Sequence, residues 1–296
     1  MFKGVYCNKF NINYNTIIKT TTLFFQPIPV SINNYWPIGF TSFVNIPITS
    51  FTLNYAVKVT SYPCYHDRVV FYQWLAGFID GDGHFSVSTS IYPRLYIEQE
   101  PKNLSVLLFI QSMIGGTVHQ RARDGCYVYN LAVRSKMITL LNGVNGNIRN
   151  SIRVPQFHRA CALVNITPLP IIPLTLKNAW FTGFYDADGN VTAYFTKTPF
   201  IVFQVTNKFS INLDSFMTFF HGNIYHSKSN DVYKWKIGSR KDVLFLYSYF
   251  LLYPSMSHKH NRMSLVLELY HLVDQRAYKE TADPILKNQW ETLKVN

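Results

Sequence analysis

The sequence is short of charge. Only 15% of its residues are Asp, Glu, Lys or Arg, and acids are the scarcer sign: 16 against 28 bases, for a formal net charge of +12. Yet 48% is apolar and 16% aromatic, which excludes a disordered basic tail, since such tails are charge-rich and apolar-poor. Cysteine is scarce too. Cys7, Cys64, Cys126 and Cys161 form no Cys-x-x-Cys pair and no Cys/His cluster at zinc spacing. Neither a disulfide scaffold nor a zinc module is read, and a reducing compartment is the default. No uninterrupted apolar run reaches the ~18 residues of a membrane span. The stretch at residues 22–32 is broken by Gln26, Pro27 and Pro29 and does not follow the order of a secretory signal, so no membrane partner is expected. What is present is a core-forming chain of 296 residues, a length that suggests about two domains. Its excess of positive charge fits a polyanion. Asn, Ile, Phe, Tyr, Lys and Thr are abundant, and their AT-rich codons hint at an organellar genome.

An internal repeat organises the chain. Residues 74–84 read W-L-A-G-F-I-D-G-D-G-H and residues 180–190 read W-F-T-G-F-Y-D-A-D-G-N. Trp, Gly, Phe, Asp, Asp and Gly recur at identical offsets, 106 residues apart as counted from Asp82 to Asp188. That period suits a duplicated half-domain. After the first copy, strands are expected at 85–89 and 95–99, a helix at 104–113, strands at 117–120 and 127–133, and a helix at 135–141. After the second, the same order falls at 191–195, 201–206, 211–220, 223–226, 232–237 and 242–252. Gly115-Gly116 and Gly222 stop the middle helices, where a left-handed residue is wanted. Residues 69–164 hold nine Lys/Arg and 178–273 hold nine. The expected organisation is therefore an N-terminal extension (1–68), a first half (69–164), a Pro-containing linker (165–177), a second half (178–273) and a C-terminal tail (274–296).

The repeated motif reads as a helix. Gly77 and Gly183 sit among its apolar positions, where Gly costs up to ~1 kcal/mol against Ala, so close helix–helix approach is the reason to keep them. If the two helices pack there, Asp80, Asp82, Asp186 and Asp188 gather at helix ends whose dipole repels them, with Gly83 and Gly189 ending the helices. Four acids in so basic a chain call for a cation, and hard oxygen donors suit Mg²⁺, which is held by one or two carboxylates plus phosphate oxygens. Metal-bound carboxylates beside a basic surface point to phosphodiester hydrolysis, and a pseudo-twofold arrangement suits the two strands of a duplex.

Residues 75–83, L-A-G-F-I-D-G-D-G, resemble the signature of the LAGLIDADG homing endonucleases, and residues 181–189, F-T-G-F-Y-D-A-D-G, look like a looser second copy. The likeness is to the single-chain, two-repeat members, which work as monomers. It implies an α+β fold of two pseudo-symmetric αββαββα halves, with saddle-shaped antiparallel sheets and a central pair of motif helices. It implies that the eighth motif residues, Asp82 and Asp188, hold the catalytic metal, assisted by the carbonyls of Gly81 and Ala187. Mg²⁺ is the expected cofactor, with Mn²⁺ able to replace it. Residues 203–208, F-Q-V-T-N-K, are similar to a run that ends the family's second strand and make Asn207 a polar residue near the site; Gln99 takes that role in the first half. Tyr253-Pro254 followed by Lys259 matches a further family feature. Arg153 stands as far after Asp82 as Lys259 stands after Asp188, and both cations are expected to be catalytic, stabilising the leaving phosphate oxygens or organising water. The resemblance also implies an intron-encoded organellar protein, in a mitochondrion rather than a chloroplast.

Strand positions alternating with the apolar ones are expected to face DNA. They are His84, Ser86, Ser88, Arg94 and Tyr96, with Gln120, Arg121 and Arg123 beyond, and in the second half Asn190, Thr192, Tyr194, Lys197, Gln204, Lys228, Lys234 and Lys236. Asp80 and Asp186 read as structural, binding backbone N–H groups. Of the histidines His84, His119, His221 and His226, no two share a ligand spacing, which favours surface or DNA-facing roles. The leading function is a site-specific, Mg²⁺-dependent double-strand DNA endonuclease. The alternative is an RNA-binding maturase that helps its host intron splice, because one fold serves many functions.

Overall fold

The computed structural model describes residues 65–87 and 92–295, and a pair of antiparallel two-residue strands at Phe43–Val44 and Val57–Lys58. Ser88 falls outside the described residues. The chain divides into two units, Tyr65–Val266 with Leu293–Asn296, and Met1–Cys64 with Leu267–Thr292. The repeat occupies the first. No helix among the described residues is long and apolar enough to cross a membrane.

Each copy of the repeat folds as helix, two strands, helix, two strands, helix. The first comprises α1 (Arg68–Asp82), β1 (Gly83–Ser86), β2 (Arg94–Gln99), α2 (Leu104–Ile114), β3 (Thr117–Gln120), β4 (Tyr127–Leu131) and α3 (Arg134–Val144). A further helix, α4 (Arg153–Ala162), follows. The second comprises α5 (Trp180–Asp188), β5 (Gly189–Tyr194), β6 (Phe200–Asn207), α6 (Asp214–Phe220), β7 (Asn223–Ser227), β8 (Val232–Ile237) and α7 (Arg240–Leu252), followed by α8 (Lys259–Ser264). Two more helices, α9 (Val266–Asp274) and α10 (Pro284–Val295), complete the described chain. The sheets are antiparallel, in order β1-β2-β4-β3 and β5-β6-β8-β7, giving the α+β class with two αββαββα halves.

Period-two burial drives each sheet. Along β2, Leu95, Ile97 and Gln99 are buried while Arg94, Tyr96 and Glu98 alternate outward. Along β6, Ile201, Phe203 and Val205 are buried. The inward faces meet apolar helix stripes such as Val106, Leu107 and Ile110 of α2 and Val243, Leu246 and Phe250 of α7. Asp67 caps α1 by accepting the N–H groups of Val69 (2.8 Å) and Val70 (3.4 Å).

The motif helices pack backbone against backbone. A Cβ added at Gly77 would stand 1.9 Å from the carbonyl oxygen of Trp180, and one at Gly183 would stand 1.8 Å from that of Trp74. Trp74 stacks on Phe78 (centroids 5.1 Å apart) and Trp180 on Phe184 (4.9 Å). The same side chains thus recur about a pseudo-dyad.

The glycines end the helices as read from the sequence, and two further helices were not read from it. Gly115 (φ 77°) and Gly222 (φ 81°) are left-handed, the latter just after His221 (φ 60°). Gly83 and Gly189 are extended instead, and open the strands directly. Glycine is required there by proximity: a Cβ on Gly83 would come within 2.8 Å of the Ile79 Cα, and one on Gly189 within 2.4 Å of the Tyr185 carbonyl. The helices α4 and α8 were not legible. The first carries Pro155 in its opening turn, which is tolerated there but reads as a breaker, and the second is six polar-rich residues without apolar periodicity. The Pro-containing stretch is pinned to the loop that follows α3. Leu169 N–H donates to Asn145 Oδ1 (2.8 Å), Asn145 Nδ2 to the Thr167 carbonyl (3.0 Å), and Ile172 N–H to the Gly146 carbonyl (2.8 Å).

A single methyl group at the helix crossing should therefore be costly. Gly77→Ala and Gly183→Ala should each destabilise the protein by about 3 kcal/mol, the cost of forcing a packed interface apart, measured by chemical denaturation. A loss below 0.5 kcal/mol in both would show that the helices do not touch through their backbones.

Candidate functional site

The fold brings the last turns of α1 and α5 side by side. A Cβ on Gly81 would meet the Ala187 Cβ at 2.3 Å and the Asp188 Cγ at 3.5 Å. The two acids of each motif then take different roles, because residues two apart on a helix point about 200° apart, to nearly opposite sides.

Asp80 and Asp186 are fully buried and bind across the crossing. Trp180 Nε1 donates to Asp80 Oδ2 (2.8 Å), and Trp74 Nε1 donates to Asp186 Oδ2 (2.9 Å). Each motif's opening Trp therefore holds the first acid of the other motif. Asp80 also accepts the Arg149 N–H (2.7 Å). Asp186 accepts the N–H groups of Met256 (2.9 Å) and Ser257 (3.3 Å), and the hydroxyls of Ser257 (2.7 Å) and Ser255. Burial pushes the Asp80 carboxyl up to about 7, against the pull of its hydrogen bonds.

Asp82 and Asp188 end the helices and are half-buried. Gln99 Nε2 donates to Asp82 Oδ2 (2.5 Å), and Asn103 Nδ2 donates to Gln99 Oε1 (2.8 Å). Asn207 Nδ2 donates to Asp188 Oδ2 (3.3 Å), and Asn212 Nδ2 donates to Asn207 Oδ1 (2.8 Å). Burial raises the Asp82 carboxyl. Burial and then repulsion from Asp82 push Asp188 up to about 7.

The expected cations arrive at the same place. Lys259 Nζ donates to the carbonyls of Tyr185 (3.0 Å), Asp186 (2.7 Å) and Ala187 (2.8 Å), so all three ammonium hydrogens cap the α5 terminus. Arg153 Nη2 lies 3.4 Å from the Gly81 carbonyl at the α1 terminus. Burial holds both cations below their usual range, while Asp82 and Asp188 oppose that shift. The Gly81 and Ala187 carbonyls are thus already engaged by protein donors, each with a second lone pair to spare.

The donor set fits a divalent cation. No described residue donates to the Oδ1 of either Asp82 or Asp188, which leaves each carboxylate with a free oxygen. Two ionised carboxylates in this half-dry setting repel one another, and a cation removes that repulsion. Among the described residues no three His, Cys, Asp or Glu side chains gather at one point. The protein would then supply two carboxylates and little else, leaving most positions to water and phosphate oxygens, as Mg²⁺ prefers.

The outward sheet faces carry most of the polar residues read from the strand phase. In the first sheet His84 pairs with Tyr96, and Ser86 with Arg94. The His84 and Tyr96 rings stack at 5.2 Å. In the second sheet Gln204 lies between Asn190 and Lys236, and Lys234 opposite Thr206, with Thr192 and Tyr194 on the same face. Lys197 and Lys228 stand in the hairpin turns, both exposed. The register puts Gln120 elsewhere: it pairs with Tyr127, which pairs with the buried Gln99, so Gln120 faces away from Tyr96. Thr117, opposite Asn130, and His119 take the outward positions of that edge strand. Arg121 is bound to Glu98 (2.8 Å) and Asp124 (2.8 Å), and the exposed Arg123 also reaches Asp124 (3.4 Å).

Sequence reasoning missed Asn103, Asn212, Ser255 and Ser257, which hold the acids or their amide partners. Nothing in their local pattern marks them. Trp74 and Trp180 were visible as repeat positions, and their recurrence beside recurring acids was the available signal.

Comparison with known proteins agrees with this geometry. The LAGLIDADG endonuclease family matches residues 75–146 and 181–270. The intron-encoded RNA maturase bI4 of Saccharomyces cerevisiae is 38% identical over 250 residues, covering 82% of this chain and 39% of that protein. A probable intron-encoded endonuclease, aI2, of Debaryomyces hansenii is 35% identical over 236 residues, covering 74% of this chain and 36% of that protein. The chain thus spans under two-fifths of the length of these relatives. Among solved structures, the LAGLIDADG homing endonuclease I-LtrWI bound to target DNA has the same fold, with a TM-score of 0.58 at 13% identity over 77% of this chain and 97% of that one.

Asp188 gives the site a pH signature. Its carboxyl rises from the ordinary 3.8 to about 7, so the folded protein keeps a proton that the unfolded chain has released. That contribution favours the fold at low pH and is lost as pH rises through about 7. Burial shifts His84, His258 and His260 downward, which has the opposite sign and masks the effect in a plain melting curve. Asp188→Asn isolates it. In metal-free buffer the variant should gain on wild type between pH 5 and pH 8.5, by roughly 2 kcal/mol. Parallel pH profiles for the two proteins would show that Asp188 ionises normally.

Proposed function

The chain belongs to the LAGLIDADG endonuclease family, and from that premise we propose that it is a site-specific double-strand DNA endonuclease that hydrolyses one phosphodiester in each strand. The single observation behind this reading is the pairing of Asp82 and Asp188 at the ends of two packed helices, each with a free carboxylate oxygen, between two outward polar sheet faces. The duplex lies along those faces. Arg94, Tyr96, Lys234, Lys236 and the turn residues Lys197 and Lys228 bind phosphates and read base edges.

When bound, Mg²⁺, or Mn²⁺ in its place, neutralises charge on the phosphate and lowers the pKa of water. The protein does the rest. Asp82 and Asp188 would hold the cation, with the Gly81 and Ala187 carbonyls beside them. Gln99 and Asn207 fix the carboxylate rotamers by donating to one oxygen and leaving the other free. Lys259 and Arg153 cap the helix ends and offset the two acids, which lets both ionise next to each other. Water attacks phosphorus and releases a proton to solvent as the new P–O bond forms, the phosphodiester P–O bond to the leaving oxygen breaks, and that oxygen takes a proton from solvent. Both half-sites lie in one chain, so it acts as a monomer. Its relatives are intron-encoded proteins, which supports an organelle, a mitochondrion rather than a chloroplast, as the place of action.

One observation favours a second reading. A relative named as an RNA maturase is 38% identical, so host intron RNA is a second candidate partner and splicing assistance a second candidate activity. Retention of both acids ranks cleavage first.

Asp82→Asn and Asp188→Asn should each abolish double-strand cleavage of a duplex spanning the intron insertion site, while binding that duplex within about threefold of wild type. Wild-type cutting by either variant, or no cutting by the wild-type protein in Mg²⁺ alongside stimulated splicing of precursor RNA, would overturn the nuclease reading.

A further inference from the structure

The two loops that deliver the cations also reach across the pseudo-dyad. His258 immediately precedes Lys259. Its main-chain N–H (3.1 Å) and ring Nδ1 (2.9 Å) both donate to Asn103 Oδ1, and Asn103 is the outer member of the amide chain that ends on Asp82. Lys259 itself caps the other motif helix, the one that ends in Asp188. The first-half loop does the converse. The Ser151 N–H donates to Asn212 Oδ1 (3.0 Å), the outer member of the amide chain that ends on Asp188. Two residues later Arg153 approaches the Gly81 carbonyl on the helix that ends in Asp82. Each loop is thus tied to both carboxylates: to one through a cation on its helix end, to the other through an asparagine and an amide.

We propose that Asn103 and Asn212 are positioning residues that couple the two carboxylate sites, so that both strands of a duplex are cut in one event. Their side chains are well suited to this. An asparagine offers an acceptor and a donor on one rigid amide, so it binds the loop on one side and orients the next amide on the other. In Asn103 both functions are used and the residue is buried, so a shift of the 257–259 loop must tilt Gln99 and with it the hydrogen bond to Asp82. The same shift withdraws Lys259 from the opposite helix end. Among the described residues, the side-chain hydrogen bonds of Gln99 and Asn207, by contrast, stay within their own half.

The inference rests on the endonuclease reading, and a single set of variants tests it. Strand-specific rates are measured on a duplex labelled separately on each strand, with wild type, Gln99→Ala, Asn103→Ala, Asn207→Ala and Asn212→Ala. Mn²⁺ binding to the DNA-free protein, followed by electron paramagnetic resonance, gives a readout independent of turnover. Removing an outer support of a metal ligand typically costs about 10–100-fold. Gln99→Ala and Asn207→Ala should each slow one strand by that factor, leaving nicked DNA, and weaken Mn²⁺ binding only in part, because one carboxylate keeps its support. Asn103→Ala and Asn212→Ala should slow both strands together, with little nicked intermediate, and weaken Mn²⁺ binding more than either inner-amide variant does. Asn212 is half-exposed, so its variant retains the fold if loss of the buried Asn103 does not, and thermal melts of each separate the two cases. If the asparagine variants nick one strand as the inner-amide variants do, or leave both rates unchanged, the coupling is wrong. If wild type cuts neither strand, the endonuclease reading fails instead.

Discussion

The backbone contact between the motif helices at Gly77 and Gly183 sets the position of every group at the site. With no side chain at either crossing point, each helix lays its spine against a carbonyl of the other, and the crossing cannot slide without meeting Trp180 or Trp74. Crossed hydrogen bonds from those two Trp rings to Asp186 and Asp80 then lock the helices in rotation as well as translation. Only after both constraints are met do the last turns present Asp82 and Asp188 together. Recurrence of the same contacts on both sides is what duplication supplies, because one sequence solution serves the crossing twice.

Electrostatics explain why the acids can stay there. Buried carboxylates at the negative end of a helix dipole are unfavourable, and two of them side by side more so. The chain answers in layers. Main-chain N–H groups and serine hydroxyls satisfy Asp186, Lys259 and Arg153 sit on the helix-end carbonyls, and amide donors take one oxygen from each outer acid. The remaining oxygens, and the raised Asp82 and Asp188 carboxyls, mark an unmet demand for positive charge. On the proposed endonuclease reading the pair would ionise around a cation instead of being neutralised by the protein itself.

Much of this was legible in the sequence because the signals were periodic or repeated. Strand burial with period two placed β2 and β6 within a residue of their observed bounds, and two copies of W-x-x-G-F-x-D-x-D-G located both the helix crossing and the paired acids. The unreadable parts share a physical cause: they depend on contacts far apart in sequence. Asn103 meets His258 across 155 positions and Ser151 meets Asn212 across 61, and no local pattern of an isolated Asn or Ser records such a partner. The phase of β3 was misread at Gln120 because a short edge strand with little burial carries almost no alternation to fix it. Gly83 and Gly189 were legible as helix ends, but their extended backbone follows from strands that begin without a turn.

The basic, charge-poor composition also takes on a specific sense. Cations are spread along two similar sheet faces and their turns, while the few acids that are buried cluster at the pseudo-dyad. A polyanion drawn to the faces would bring its backbone to the point where negative charge is already concentrated, a repulsion that a divalent ion between them would relieve. Anomalous scattering from crystals of the protein grown or soaked in Mn²⁺ tests that claim most directly. The account predicts anomalous density at coordination distance from the carboxylate oxygens of both Asp82 and Asp188. Well-ordered density elsewhere, with both carboxylates uncoordinated, would contradict it.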